Sequence, residues 1–170
     1  SAVLTECLED DLIDINPARI RILPEKNGRD RLLTDGERER ILEVCAAHDQ
    51  PALLPMVMVA MVSGARAGEL IELRASDLDI ERGTAILRQT KNGDTRPIPI
   101  RGNALDVLRN YLERHPVIGS GKVFRNVGGG VPFRYTTHWA DAKREAGIDD
   151  LRFHDLRHDA ASTLAKDGVS

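Results

Sequence analysis

Cysteine is nearly absent from this 170-residue chain: its two thiols, Cys7 and Cys45, share no C-x-x-C spacing, which excludes a disulfide framework and a cysteine zinc site. So few cysteines fit a reducing cytoplasm. No apolar run approaches the roughly 18 residues that cross a bilayer. The longest, Leu53 to Val62, stops well short, so no membrane partner is expected. No cationic-apolar leader with a cleavage site opens the sequence, and secretion therefore has no support. Internal repeats and low-complexity tracts are missing as well. A strong excess of one charge is also lacking, with 24 Lys and Arg against 27 Asp and Glu. The broad basic footprint of a stand-alone DNA-binding module is therefore not there.

The residues present are those of a soluble globular chain: 41% hydrophobic, 30% charged, with 14 glycines, which excludes disorder and collagen-like repeats. The length suits one domain, or one domain with a short appendage. Charge is unevenly spread. Residues 1–50 hold 12 acids against 7 bases, whereas residues 51–170 hold 17 bases against 15 acids. A mildly basic body follows an acidic lead-in.

Hydrophobic periodicity predicts the elements. Leu4, Leu8, Leu12 and Ile15 have helical spacing and stop at Asn16-Pro17, so residues 1–16 read as the end of a preceding domain. Residues 17–33, with Pro24 and Asn27-Gly28 among many charges, read as a linker. Thr34 and Glu37 form a capping-box pattern that starts a helix running to about His48. Leu53–Val62, apolar on every side, predicts a buried helix ended by Ser63-Gly64, and Arg66–Arg74 a short helix after it. Residues 77–100 switch to strand periodicity, with turns at Arg82-Gly83 and Asn92-Gly93, which predicts a three-stranded meander. Pro97 and Pro99, two apart, mark its last strand as an edge with Ile98 and Ile100 turned inward. Further helices are expected from an Asn103 cap to about His115, over Tyr135–Ala146 closed by Gly147, and over Asp155–Asp167 with Gly168 as cap. A short Lys122–Phe124 strand is expected between them, in a loop over Gly119–Gly130.

Four places carry residues suited to chemistry. Arg66 follows a small-residue turn at a helix start, where its guanidinium and free backbone N–H groups would grip a phosphate; taken alone, Arg66 and Glu69 read as a surface pair. Lys91, beside the Asn92-Gly93 turn, would donate a proton if neighbouring cations lowered its pKa; most turn lysines are only solvated. His154 and Arg157, three apart, lie on one face of a helix start and would meet the same anion, or else serve as a cap and a surface charge. A rival reading takes His154 and His158 with Asp155 or Asp159 as metal ligands. Arg125, Arg134, Lys143, Arg144 and Arg152 form a basic dressing that suits a DNA backbone or a solvated face. Trp139 and His138 read as packing.

The run Gly64-Ala65-Arg66-Ala67-Gly68-Glu69-Leu70, then Leu73 to Asp79, then Thr90-Lys91 leading to Arg96-Pro97-Ile98-Pro99-Ile100, then His154-Asp155-Leu156-Arg157-His158, resembles the catalytic domain of the tyrosine recombinase (phage integrase) family. The match covers roughly residues 34–170, and Leu12 to Pro17 resembles the end of that family's core-binding domain. The resemblance implies an α+β, mainly α-helical fold with a small three-stranded antiparallel sheet. It implies a site-specific recombinase that cuts and rejoins double-stranded DNA through a 3′-phosphotyrosyl link, with self-association into a tetrameric synapse. Arg66 and Arg157 would neutralise the scissile phosphate, Lys91 would protonate the leaving oxygen, and His154 would support proton transfer. No cofactor and no metal is implied, because fixed cations stabilise the charge.

One departure stands out. The family's Leu-Gly-His segment and nucleophilic tyrosine lie beyond the last helix, and neither Tyr111 nor Tyr135 occupies that place, so the chain reads as C-terminally incomplete and without its nucleophile. Two alternatives stay open: a non-catalytic DNA-binding module of the same fold, and a metal-dependent phosphohydrolase built on His154, Asp155 and His158. With so small a basic excess over residues 51–170, the chain is expected to bind duplex DNA weakly, with steep salt dependence. Anisotropy titrations at low and moderate salt check this; tight, salt-insensitive binding contradicts it.

Overall fold

The computed structural model describes residues 31–88, 95–126, 133–157 and 159–160. Helix α1 (Asp35–Ala47) starts at the capping box expected from its sequence: Thr34 Oγ1 accepts the Glu37 N–H at 3.3 Å, and Glu37 Oε2 accepts the Thr34 N–H at 2.9 Å. Arg31 braces this start. Its guanidinium reaches Glu37 Oε1 at 2.7 Å and Asp150 Oδ2 at 2.9 Å. The hydrogen bond from Arg31 holds the Glu37 carboxyl down at about 2. Leu33 is buried, so the residues just before α1 are packed on the domain.

Helix α2 (Leu53–Ser63) is the hub, as its all-round apolar sequence requires. Leu53, Met56, Val57 and Val59 are fully buried, and the helix packs against α1, α4 (Asn103–Arg114) and α5 (Tyr135–Glu145). It ends where Gly64 turns left-handed at φ 61°, sending its N–H to the Ala60 carbonyl at 3.0 Å. Helix α3 (Ala67–Glu72) follows, then a 3₁₀ turn over Ala75–Asp77.

The meander is present as a three-stranded antiparallel sheet of order β1 (Leu78–Asp79), β2 (Thr84–Leu87) and β3 (Arg96–Pro99). Ala85 faces Ile98 and Leu87 faces Arg96 across the last pair. Pro97 and Pro99 are exposed while Ile98 and Ile100 are buried, so β3 is an edge for the reason its prolines predict. Gly83 makes the tight return at φ 60°, where its carbonyl accepts the Ile100 N–H at 2.8 Å.

Two expectations shift. The residue capping α4 is Gly102, with Asn103 as the first helical residue, because the Gly102 carbonyl takes the Leu105 N–H at 2.9 Å. Lys122–Phe124 makes one antiparallel bridge, Arg74 to Lys122, in place of a strand; Val123 and Phe124 instead drop their side chains into the core. Helix α5 is followed by turns and by a helical segment beginning at 155. The helix expected within 1–16, the Asn92-Gly93 turn with Lys91, the Gly128-Gly129-Gly130 run and everything after 160 lie outside the described residues. No helix among the described residues is long and apolar enough to cross a membrane.

The Gly83 turn sets a stability test. A Cβ there would meet the Ile100 carbonyl oxygen at 2.5 Å, in a backbone conformation that side chains rarely adopt. Gly83→Ala is expected to cost about 1–3 kcal/mol or more. Gly68→Ala, helical and with nothing within 4 Å, is expected to be neutral or to stabilise by about 0.5–1 kcal/mol. Denaturant unfolding of the two variants separates these outcomes.

Candidate functional site

The chain leaves α2 through Gly64 and buried Ala65, and Arg66 then adopts an extended conformation as the residue before α3. Glu69, three residues on, lies beneath it with a side chain only 4% exposed. Its carboxylate accepts the Arg66 backbone N–H at 2.8 Å on Oε2 and Arg66 Nη1 at 3.0 Å on Oε1. A second arginine arrives from the sheet: Arg96 Nη2 donates to Glu69 Oε2 at 2.9 Å. The pairing of Arg66 with Glu69 is therefore real, but it is half-buried and shared. Of the backbone donors at this helix start, the Arg66 N–H is taken by Glu69.

Arg157 completes the cluster from the far end of the chain. Its Nη1 donates to the Gly64 carbonyl at 2.8 Å, a contact between residues 93 apart in sequence. Burial holds the Arg157 guanidinium below its ordinary value, and the charges of Arg66 and Arg96 push the same way, while Glu69 opposes them. Three guanidinium groups thus share one field with one carboxylate. Burial pushes the Glu69 carboxyl up, but the hydrogen bonds from Arg66 and Arg96 outweigh it and hold the group below the usual carboxylate range. Arg66 and Arg96 keep side-chain exposures of 42% and 36%, so both still reach solvent. A surplus of partly desolvated cations around one carboxylate is an arrangement that an anion relieves.

His154 stands on the turn entering the helical segment, exposed, and its carbonyl accepts the Arg157 N–H at 3.1 Å. The structure therefore brings Arg66 and Arg157 to one place, with His154 three residues before Arg157. Lys91 lies outside the described residues, as does His158. The carboxylates of the metal reading are engaged elsewhere: Asp155 accepts the Arg152 N–H at 2.8 Å, and Asp159 pairs with Arg38 at 2.9 Å. Among the described residues no three His, Cys, Asp or Glu side chains are grouped to hold a metal ion.

The basic dressing is scattered over other contacts. Arg125 donates to the His115 and Pro116 carbonyls at the end of α4, Lys143 to the Asp149 carbonyl, and Arg144 pairs with Asp141 one turn earlier. Arg134 and Arg152 are exposed. Trp139 packs edge-on against Phe153 and His138 stacks on Phe133, so both are packing residues as their sequence context indicates. Tyr111 is 5% exposed, and its hydroxyl donates to the Val123 carbonyl at 3.2 Å. Sequence reasoning missed Arg96 as a member of the cluster. Its only local mark is a basic residue opening an edge strand, and nothing in that pattern points to Glu69.

Residues 31–170 match the phage integrase family. A shufflon-specific DNA recombinase of Escherichia coli is 36% identical over 148 residues, covering 86% of this chain and 36% of that protein. The tyrosine recombinase XerC of Roseiflexus castenholzii is 28% identical over 166 residues, covering 87% of this chain and 51% of the relative. The chain thus spans about a third to a half of the length of these curated relatives. Among solved structures, that of the Tn1549 transposon integrase in complex with circular intermediate DNA shares the fold, with a TM-score of 0.76 at 20% identity over 99% of this chain and 64% of its own.

The Glu69 geometry sets a pH test. A carboxyl whose folded pKa is depressed contributes stability that is present above its unfolded value, about 4.3, and is lost as pH falls through the folded value. The unsubstituted chain is therefore expected to lose stability on acidification, whereas Glu69→Gln starts lower at neutral pH and falls less. Melting temperatures of the two proteins across pH check this, and parallel curves contradict it.

Proposed function

Because the chain belongs to the phage integrase family, we propose that it carries the phosphate-binding pocket of a site-specific DNA recombinase. This enzyme cuts and rejoins double-stranded DNA through a 3′-phosphotyrosyl intermediate. The observation that carries the reading is the Arg157 hydrogen bond to the carbonyl of Gly64, two residues before Arg66 and 93 residues from Arg157 in sequence. Arg66 and Arg157 neutralise the non-bridging oxygens of the scissile phosphate, whose charge grows as the attacking oxygen approaches. Lys91 protonates the leaving 5′ oxygen, and His154 supports proton transfer and orients the phosphate. The nucleophile is neither Tyr111, whose hydroxyl is buried on the Val123 carbonyl, nor Tyr135, which opens α5.

Residues 31–170, Arg31 and Leu33 included, act as the catalytic domain, with 17–30 as the linker from a core-binding domain that ends within 1–16. The duplex backbone is met by Arg134 and Arg152, with Arg125, Lys143 and Arg144 contributing less because they already hold carbonyls or Asp141. The whole protein works in the cytoplasm of a prokaryote or of a phage-infected cell. It assembles on DNA as a tetrameric synapse.

A nicked suicide duplex tests this with the full-length protein. Arg66→Gln and Arg157→Gln are each expected to reduce covalent adduct formation by about 10²-fold or more, with duplex binding largely kept. Binding without any adduct in the unsubstituted protein favours the non-catalytic module. Cleavage abolished by a chelator favours the metal reading.

A further inference from the structure

Arg96 has a geometry that the phosphate chemistry above does not use. It opens β3 opposite Leu87, and its guanidinium leaves the sheet to reach Glu69 Oε2 at 2.9 Å. That oxygen also takes the Arg66 backbone N–H, and the other takes Arg66 Nη1. Both oxygens of a nearly sequestered carboxylate are thus occupied, and two guanidiniums divide its one charge. Without Arg96, Glu69 and Arg66 would form a closed neutral pair. The carboxylate would then fix Arg66 in place and cancel the charge that makes it useful to an anion.

We propose that Arg96 is a positioning residue of the phosphate pocket: it balances Glu69, so that this carboxylate orients Arg66 without neutralising it. The inference rests on the reading of Arg66 and Arg157 as phosphate ligands and adds a member to that site. Electrostatics supports it, since Arg66 and Arg96 both press on the Arg157 guanidinium and so belong to one field. The competing role is mechanical, with Arg96 only strapping β3 to α3.

The test follows inorganic phosphate binding to the full chain through the guanidinium Nε–H signals of Arg66 and Arg157 in arginine-labelled protein. In the unsubstituted chain both signals move and saturate with phosphate. Arg96→Gln is expected to weaken phosphate binding about tenfold, the order of one charge-assisted contact. The Glu69→Gln, Arg96→Gln double variant removes the charge that Arg96 balances. It is expected to recover binding to within about threefold of the unsubstituted chain, a coupling that a mechanical strap does not produce. The double variant leaves no unpaired buried charge, so it also decides the matter should Arg96→Gln fail to fold. The proposal is overturned if Arg96→Gln lowers the melting temperature yet binds phosphate within about twofold of the unsubstituted chain, or if the double variant is as weak as the single one. If neither signal of the unsubstituted chain responds, the pocket reading fails, and this proposal with it.

Discussion

The carboxylate of Glu69 is the constraint on which the rest of the site depends. Taking a charged group out of water costs several kcal/mol, and that cost is met only where geometry and hydrogen bonding are close to complete. Here three donors meet it: the backbone N–H and side chain of Arg66, and the side chain of Arg96. Each comes from a different covalent context, one from a helix start, one from the same residue's long side chain and one from a strand. The register of α3, the turn before it and the opening of β3 are thereby tied to a single atom pair.

Around that carboxylate the fold works by leaving little freedom. Helix α2 is buried along most of its length and packs against four other helices, so the turn at its end is anchored in the core. From that turn Arg66 reaches Glu69, while the Gly64 carbonyl takes Arg157 from the segment that begins at 155. The charges of Arg66 and Arg96 press on Arg157, and Glu69 opposes them. On the proposed reading, such an arrangement stabilises a charge that develops later.

How much of this was legible in the sequence depended on the range of the interactions involved. The Thr34–Glu37 box, the buried helix at Leu53 and the meander with alternating Pro97 and Pro99 are written in short-range rules, and the structure has all three. The cap at Gly102 and the bridge at Lys122 are not legible in short-range rules, because a neighbouring glycine conformation and a long-range backbone pairing decide them. Arg66 and Arg157 look like ordinary surface cations in isolation; only the ordered set of motifs pointed to a common site. Arg96 stayed hidden within a run quoted for other reasons, because its partner is 27 residues away and belongs to another element.

The hydrogen bond that aims Arg157 ends on a main-chain carbonyl. Oxygen acceptors of that kind are common to all twenty residue types, so no single replacement at position 64 deletes the acceptor itself. What such a replacement changes is the shape around it: a side chain would have to tolerate φ 61° and sit against Arg157 Cγ at 3.7 Å and Ala160 Cβ at 3.8 Å. The aim of the arginine is therefore inherited with the backbone path and not with a partner side chain. Sequence drift can repaint the surroundings of Arg157 while the direction of its guanidinium stays the same.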